Sequence, residues 1–434
     1  MLFKNYFNRI IANEISTFSK YYDHVVQTEL TQHDDKKIFE NIQCESKKIV
    51  PVIDSEQVFT KSNRVLVLLN GSLNYSIDIF GYLKKLKNNL NRQSRIAVVL
   101  YNPYFAWIYK FANWIGLRKA PIPKNFITLN DLKNLTTISQ YNIVKLKNLC
   151  FFPFSLFGLG GILNAILSVI PGLKNLSYVT LVVLRPKVPS VQPSLSIVVP
   201  ARNEFGNIES AITTLPSFGD AQIEIIYVEG HSTDATWDEI LRVQNKYQNK
   251  FKIKAFQQKG TGKVDAVRLG FSEATSDLIT ILDADLTTPP ETLKNFYDIY
   301  CSGDGDFVNG NRLLYQQEKN AMRFLNRLGN IFFAKFLRYI LDVPIGDSLC
   351  GTKLLSRSDY DRFIKWRCDF GDFDPFGDFE LIFPASVLCL GCIDYPIHYK
   401  ARIYGETNIL RFRHGLMLLK MSMIGLFKIK LRIS

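Results

Sequence analysis

Apolar runs and amphipathic stretches take turns along the second half of the chain. "LSIVVPA" (195–201), "IEIIYVE" (223–229), "KIKAF" (252–256), "LITILDAD" (278–285) and "DFVNG" (306–310) are short and largely apolar, which predicts strands. Between them, "DATWDEILRVQNKYQ" (234–248) and "KVDAVRLGFSEA" (263–274) carry helical spacing. Strand and helix in alternation predict an α/β fold with a doubly wound, mainly parallel sheet covered on both faces. Earlier, "RVLVLLN" (64–70) and "RIAVVLY" (95–101) predict two buried strands with a helix in "IDIFGYLKKLKNNL" (77–90) between them. Three prolines in "RPKVPSVQPS" (185–194) interrupt the pattern. The expected organisation is an N-terminal domain over 1–185, a linker over 186–194, a second domain over 195–410 and a basic tail helix over 411–434.

The run "TILDADLTTPPE" (280–291) ends an apolar strand in two carboxylates, Asp283 and Asp285. On an extended chain an i, i+2 pair shares one face, where each charge raises the other's pKa unless a cation lies between. Thr288-Pro289-Pro290-Glu291 has the form of a capping box, predicting a helix start just beyond. In a parallel sheet the loops at the carboxyl ends of strands line the binding crevice. Polar groups recur there: Arg202-Asn203-Glu204, Glu229-Gly230-His231, Gly260-Thr261-Gly262-Lys263, then Asp283 and Asp285. Paired carboxylates suit a hard divalent cation, Mg²⁺ or Mn²⁺, which completes its shell with substrate phosphates. Lys263, at a helix start, adds a positive charge toward the same phosphates. "GTGK" is not a P-loop, because Gln257 stands where the first glycine belongs and Val264 where Ser or Thr belongs. His231 sits at a turn, where nucleotide contact or solvation suits it better than a role as base.

Composition changes the picture in three ways. With 434 residues, 47% of them hydrophobic, the chain holds enough apolar surface for more than one core. The net charge of +13 is uneven: residues 1–190 carry 24 basic and 11 acidic residues, whereas 191–434 carry 29 of each. The tail 411–434 holds six basic and no acidic residues, which leaves 191–410 with 23 basic and 29 acidic. An acidic centre flanked by basic regions is unlike a nucleic-acid-binding stripe and suits a protein resting on an anionic membrane surface. Seven cysteines, with no secretory pattern at Met1-Leu2-Phe3-Lys4, point to a reducing, cytoplasmic location, and Cys389-Leu-Gly-Cys392 reads as core packing. Residues 148–173 contain no Asp, Glu, Lys or Arg, but glycines and Pro153 and Pro171 break the run, so an interfacial or buried hairpin is expected rather than a span.

Residues 195 to 409 resemble the family-2 glycosyltransferases of the GT-A fold, near the dolichyl-phosphate mannose and glucose synthases. "IVVPARNE", "VEGHSTDAT", "GKVDAVRLGF" and "LDADL" carry the resemblance, followed in order by "NGNR", "GDSLCGTK", "GDFE" and "ARIYGET". It implies metal-dependent transfer of a hexose from a nucleotide-diphosphate sugar with inversion. By that resemblance Pro200, Arg202, Glu204, Glu229 and Lys263 would line the donor site. Asp285 would ligate the metal, and Asp283 would touch ribose or metal-bound water. Glu229-Gly230-His231 departs from the family's usual Asp-Asp-Gly, which leaves UDP and GDP donors both open. With a polyprenyl-phosphate acceptor, whose phosphate is itself the nucleophile, Arg402 would hold the phosphate, helped by Arg312 and Lys353. With a glycan hydroxyl as acceptor, Asp378 or Glu380 would take the proton.

The N-terminal strands resemble the later strands of a class I methyltransferase. The first glycine of the chain is Gly71, so no glycine-rich cofactor loop precedes "RVLVLLN". The expectation is a shortened domain without S-adenosylmethionine binding, serving as scaffold or as a dock on the cytoplasmic face of a membrane. Two other classes stay open: a bifunctional methyltransferase, or a non-catalytic nucleotide-sugar-binding protein.

Overall fold

The computed structural model describes residues 2–28, 36–50, 63–116, 125–152, 154–155, 158–170, 172–315, 324–374, 376–402, 404 and 411–431. The chain divides into two compact units, Met1–Val188 and Pro189–Ser434.

Unit 1 is a six-stranded sheet of β1 (His24–Thr28), β2 (Lys47–Val50), β3 (Val65–Asn70), β4 (Arg95–Tyr101), β5 (Tyr141–Leu149) and β6 (Val179–Pro186) in the order β2-β1-β3-β4-β6-β5. β6 runs antiparallel to both neighbours, and the other pairs are parallel. β3, β6 and nearly all of β4 are buried, as their apolar runs predict. The expected helix spans Ile79–Asn89 and starts where the Asp78 carboxylate accepts a bond from the Gly81 N–H at 2.8 Å. β5 escapes a pattern reading because lysines interrupt it. Lys145 and Lys147, two apart on one face, reach a buried carboxylate, Glu14 of the helix Leu2–Ser19, at 3.5 and 3.0 Å.

Unit 2 holds β7 (Leu195–Ala201), β8 (Ile223–Glu229), β9 (Lys252–Gln257), β10 (Leu278–Ile281), β11 (Phe307–Asn311), β12 (Lys353–Ser356) and β13 (Cys392–Pro396) in one sheet, ordered β13-β11-β12-β10-β7-β8-β9. β10, β7, β8 and β9 are parallel, while β12 runs antiparallel between β10 and β11. The predicted strands all form. Leu195, Ile197, Val199, Ile225, Tyr227 and Leu278 from β7, β8 and β10 join one core.

Two local expectations fail. β10 ends at Ile281, so Asp283 and Asp285 lie on a turn closed by a bond from the Leu286 N–H to the Asp283 carbonyl at 3.1 Å, not on an extended face. The capping box at Thr288 does not form either: the helix begins at Thr292, with no side-chain cap. Thr288 is buried and Pro289 and Pro290 carry a preceding turn, which shifts the start by one turn. The tail helix Arg411–Gly425 packs on unit 2, with Leu418, Met421 and Ser422 buried and Gly425 against Phe383. Among the described residues no helix is long and apolar enough to cross a membrane.

Candidate active site

The loops that follow β7, β8 and β10 each contain a non-glycine residue in the left-handed region: Asn203 (φ 56°), His231 (φ 57°) and Leu286 (φ 54°). Such backbone persists where surrounding bonds over-determine it, and it gathers at functional sites. Here the Asn203 N–H donates to Ser232 Oγ at 3.0 Å, and Asn203 Oδ1 accepts from the Thr233 N–H at 2.8 Å, tying the first two loops together. His231 Nε2 lies 3.0 Å from the Gly260 carbonyl, which ties the second loop to the third.

Lys263 opens the helix Lys263–Glu273, an end where the macrodipole disfavours a cation. Its place is fixed from both sides. Gly270, farther along the helix, lies so close to Val198 of β7 that a Cβ there would collide with the valine side chain. The Lys263 ammonium pairs with Asp283 Oδ1. Burial works against its charge, but Asp283, Asp378 and Asp285 together hold it above the ordinary lysine range. Burial would likewise raise Asp283, and Lys263, with Lys353 and Arg312 farther out, keeps that carboxyl below its usual value instead. Gly351 packs its backbone over this pair; a Cβ there would run into the Lys263 ammonium and the Asp283 carboxylate.

Asp285 faces a second cation. Arg402 Nη2 donates to Asp285 Oδ2 at 2.6 Å, and Arg402 Nη1 donates to Glu204 Oε1 at 3.0 Å. Asp285 Oδ1 accepts from the N–H and hydroxyl of Thr287 at 3.1 and 2.8 Å. Glu204 is buried beside Asn207, whose amide donates to Oε2 at 2.6 Å. Burial pushes the Glu204 carboxyl up to about 7, against the lowering pull of Asn207 and Arg402.

A third pair completes the cluster. Lys353, with no exposed side-chain surface, donates to Asp378 Oδ1 at 2.5 Å and to the Cys350 carbonyl. Asp378 stands at the start of the helix Phe379–Val387 but does not cap it. Asp374 does that work, accepting from the N–H groups of Phe376, Phe379 and Glu380 at 2.9, 2.6 and 2.9 Å. Asp378 is thereby left to turn toward the cluster.

Not every expected residue joins it. Glu380 faces away into two arginines, Arg268 (Nη2 at 2.5 Å) and Arg367 (Nη1 at 3.2 Å), an arrangement that serves packing. Arg312 makes a forked pair with the buried Asp347, at 2.7 and 3.0 Å, and stacks over Tyr399. Glu229 is buried, accepting from the Ser232 N–H and Gln257. Pro200 is half-buried in β7, and Arg202 is exposed just past its end. Sequence reasoning missed Asn207, Thr287, Gly351 and Asp374, whose partners lie on other elements or whose role is a turn.

For a divalent cation, the donor chemistry fits. Asp283 and Asp285 are hard oxygen donors only partly covered, and Asp283 Oδ2 accepts no hydrogen bond from the described residues. No group of three or more metal-ligating side chains exists among the described residues, so the remaining ligands would come from substrate and water.

In a mainly parallel sheet the strand-end loops that carry these acid–base pairs are the ones that line the binding crevice. Residues 196–363 match the family described as Glycosyl transferase family 2, so unit 2 carries a glycosyltransferase domain of GT-A, Rossmann-like α/β fold. The dolichol-phosphate mannosyltransferase of Pyrococcus furiosus is 31% identical over 119 residues, 27% of this chain and 33% of that one. The dolichyl-phosphate hexose transferase of Haloferax volcanii is 28% identical over 221 residues, 51% of this chain and 89% of that one. The chain thus spans a third of one relative and most of the other. Among solved structures, the glucosyl-3-phosphoglycerate synthase of Mycobacterium tuberculosis in complex with uridine diphosphate is similar with a TM-score of 0.40 at 18% identity, covering 56% of this chain and 81% of that one.

Proposed function

We propose that the protein transfers a hexose, with inversion, from a nucleotide-diphosphate sugar to a polyprenyl phosphate, in a reaction that depends on Mg²⁺ or Mn²⁺. The observation that carries this is the pairing of Lys263 with Asp283 and of Arg402 with Asp285 at one end of the sheet. Asp283 and Asp285 would hold the cation, which neutralises charge on the departing diphosphate when bound. Lys263 offers its ammonium to the donor phosphates. Glu204, Glu229 and Pro200, with Arg202 at the rim, form the wall for the nucleoside.

Arg402 is the cation for the acceptor phosphate, because it reaches the carboxylates from outside the strand ends on a segment of its own. Arg312 and Lys353 add positive potential from behind, each anchored by its own carboxylate. An acceptor phosphate oxygen attacks the anomeric carbon as the bond to the diphosphate oxygen breaks. No side chain need remove a proton. The names of the two relatives support a lipid-phosphate acceptor.

A second reading, transfer to a glycan hydroxyl, is favoured by one observation: Lys353 turns Asp378 toward the cluster, where a base could stand. Glu380 is a poor base in its arginine clamp. Unit 1 we take as a methyltransferase-like scaffold without cofactor binding, on the cytoplasmic face of a membrane; stoichiometric S-adenosylmethionine binding by calorimetry would refute that part.

The test is a screen of UDP- and GDP-hexoses with polyprenyl phosphate, with Mn²⁺, with Mg²⁺ and with chelator. Transfer that needs the metal and disappears in Asp285→Ala is expected. Full turnover in that variant, or transfer to no lipid phosphate under any condition, would sink the proposal.

A further inference from the structure

In unit 1 two apolar excursions leave the same end of the sheet. Tyr101 at the end of β4 and Leu149 at the end of β5 both pair with Val179 at the start of β6. The first excursion, after β4, forms the helix Ala106–Trp114; the second, between β5 and β6, contains the helix Leu159–Val169. They share a base, where Phe105 stacks on Tyr178 at 4.5 Å and Asn102 Nδ2 donates to the Ser177 carbonyl at 2.7 Å.

Both helices turn apolar side chains to solvent. On the first, Trp107, Phe111 and Trp114 recur at i, i+4 and i+7 and are exposed, Trp107 by 63% and Trp114 by 81%. On the second, Leu159, Ile162 and Ile166 are exposed at i, i+3 and i+7. The polar residue Asn164 points inward instead. Its Oδ1 accepts from the N–H groups of Phe151 and Phe152 at 2.8 and 2.7 Å, and its Nδ2 donates to the Phe152 carbonyl at 2.8 Å. A helix of a water-soluble domain has the opposite polarity. Surfaces of this kind mark an interaction site.

Charge says what covers it. From 101 to 188 the chain carries ten lysines and arginines and a single acidic residue, Asp131, although Lys145 and Lys147 face Glu14 and Arg185 is buried. Lys110 is exposed within the aromatic helix, and Asp131 is spent in a capping box with Thr128. Tryptophan, short apolar helix and excess cation together are the composition that enters the headgroup zone of an anionic bilayer. The helix of 11 residues is about 16 Å long, half the hydrocarbon thickness of about 30 Å, so it is too short to span.

We propose that this end of the unit 1 sheet is a docking surface for an anionic lipid bilayer, with Trp107, Phe111 and Trp114 on one side and Leu159, Ile162 and Ile166 on the other as its inserting groups. The proposal does not rest on the sugar transfer, and its test reads no transfer. The full chain is sedimented with phosphatidylcholine vesicles, with or without about a third phosphatidylglycerol. At least about tenfold stronger binding is expected with the anionic lipid. Two of the chain's four tryptophans lie in the patch, so brominated lipid should quench part of the emission. Trp107→Glu/Trp114→Glu should weaken binding about tenfold or more, as should Ile162→Glu/Ile166→Glu on the other helix, with melting temperatures unchanged because the sites are exposed. Equal binding by all variants, no binding to anionic vesicles, or a dimer in solution that the same substitutions dissociate would each overturn it, the last by showing a second copy as the occupant.

Discussion

Arg402 Nη2 lies 2.6 Å from Asp285 Oδ2, so the second acid of the Asp-Ala-Asp turn is already neutralised by a side chain 117 residues away. The same guanidinium reaches Glu204. One cation therefore fastens the loop after β7 to the loop after β10, and it is the cation proposed to meet the acceptor phosphate. Arg402→Ala should lower kcat/KM for the acceptor about a hundredfold, the loss of a charge-assisted bond of about 2–3 kcal/mol. Donor affinity, by calorimetry, should change far less. Equal loss on both sides would make Arg402 part of the donor pocket.

Glu204 gives a pH dependence with a definite sign. Its carboxyl rises from 4.5 to about 7 on folding, so the native state keeps the proton longer than the unfolded chain. That contribution favours the fold below pH 4.5 and is lost as pH climbs to about 7, by up to about 3 kcal/mol. Urea unfolding of the wild type and of Glu204→Gln across this range should give a stability difference that moves against the wild type as pH rises. A flat difference would contradict the assignment.

Gly351→Ala tests the packing of backbone over the Lys263–Asp283 pair. The added methyl would meet the tip of the Lys263 side chain and the Asp283 carboxylate, which must shift to make room. Donor binding should weaken at least about tenfold, as the pair is forced apart. Unchanged donor affinity would mean the pair stands clear of the donor.

Glu380→Gln and Asp378→Asn should separate packing from chemistry. Glu380 is buried between Arg268 and Arg367, and removing its charge should cost about 2–3 kcal/mol in unfolding free energy, with the turnover of folded enzyme nearly intact. Asp378→Asn should destabilise through the buried Lys353 and, if the acceptor is a hydroxyl, also abolish turnover and its dependence on a basic group. Turnover lost in Glu380→Gln at full folding would reverse the two roles.

The parallel core of unit 2 was legible because β7, β8 and β10 are apolar on both faces, and nothing but a covered sheet accommodates that pattern. Asp283, Asp285 and Glu204 stood out because each follows such a strand, and Lys263 because it opens the helix after β9. β5 was hidden, since its lysines look like a solvated segment until Glu14 is placed beneath them. The aromatic helix after β4 was hidden too, because the exposure of Trp107, Phe111 and Trp114 depends on what packs beside them.

Local order along the chain determined which residues sit at the carboxyl ends of strands, because period and turn chemistry are properties of a few neighbouring positions. Which cation answers which carboxylate was decided only in three dimensions. Lys263 with Asp283, Arg402 with Asp285 and Lys353 with Asp378 join residues 20, 117 and 25 positions apart, and Glu380, two residues after Asp378, points into a different set of arginines. Coulomb attraction in a partly buried site selects the partner by distance, and distance between remote residues exists only once the sheet has brought its loops to one end.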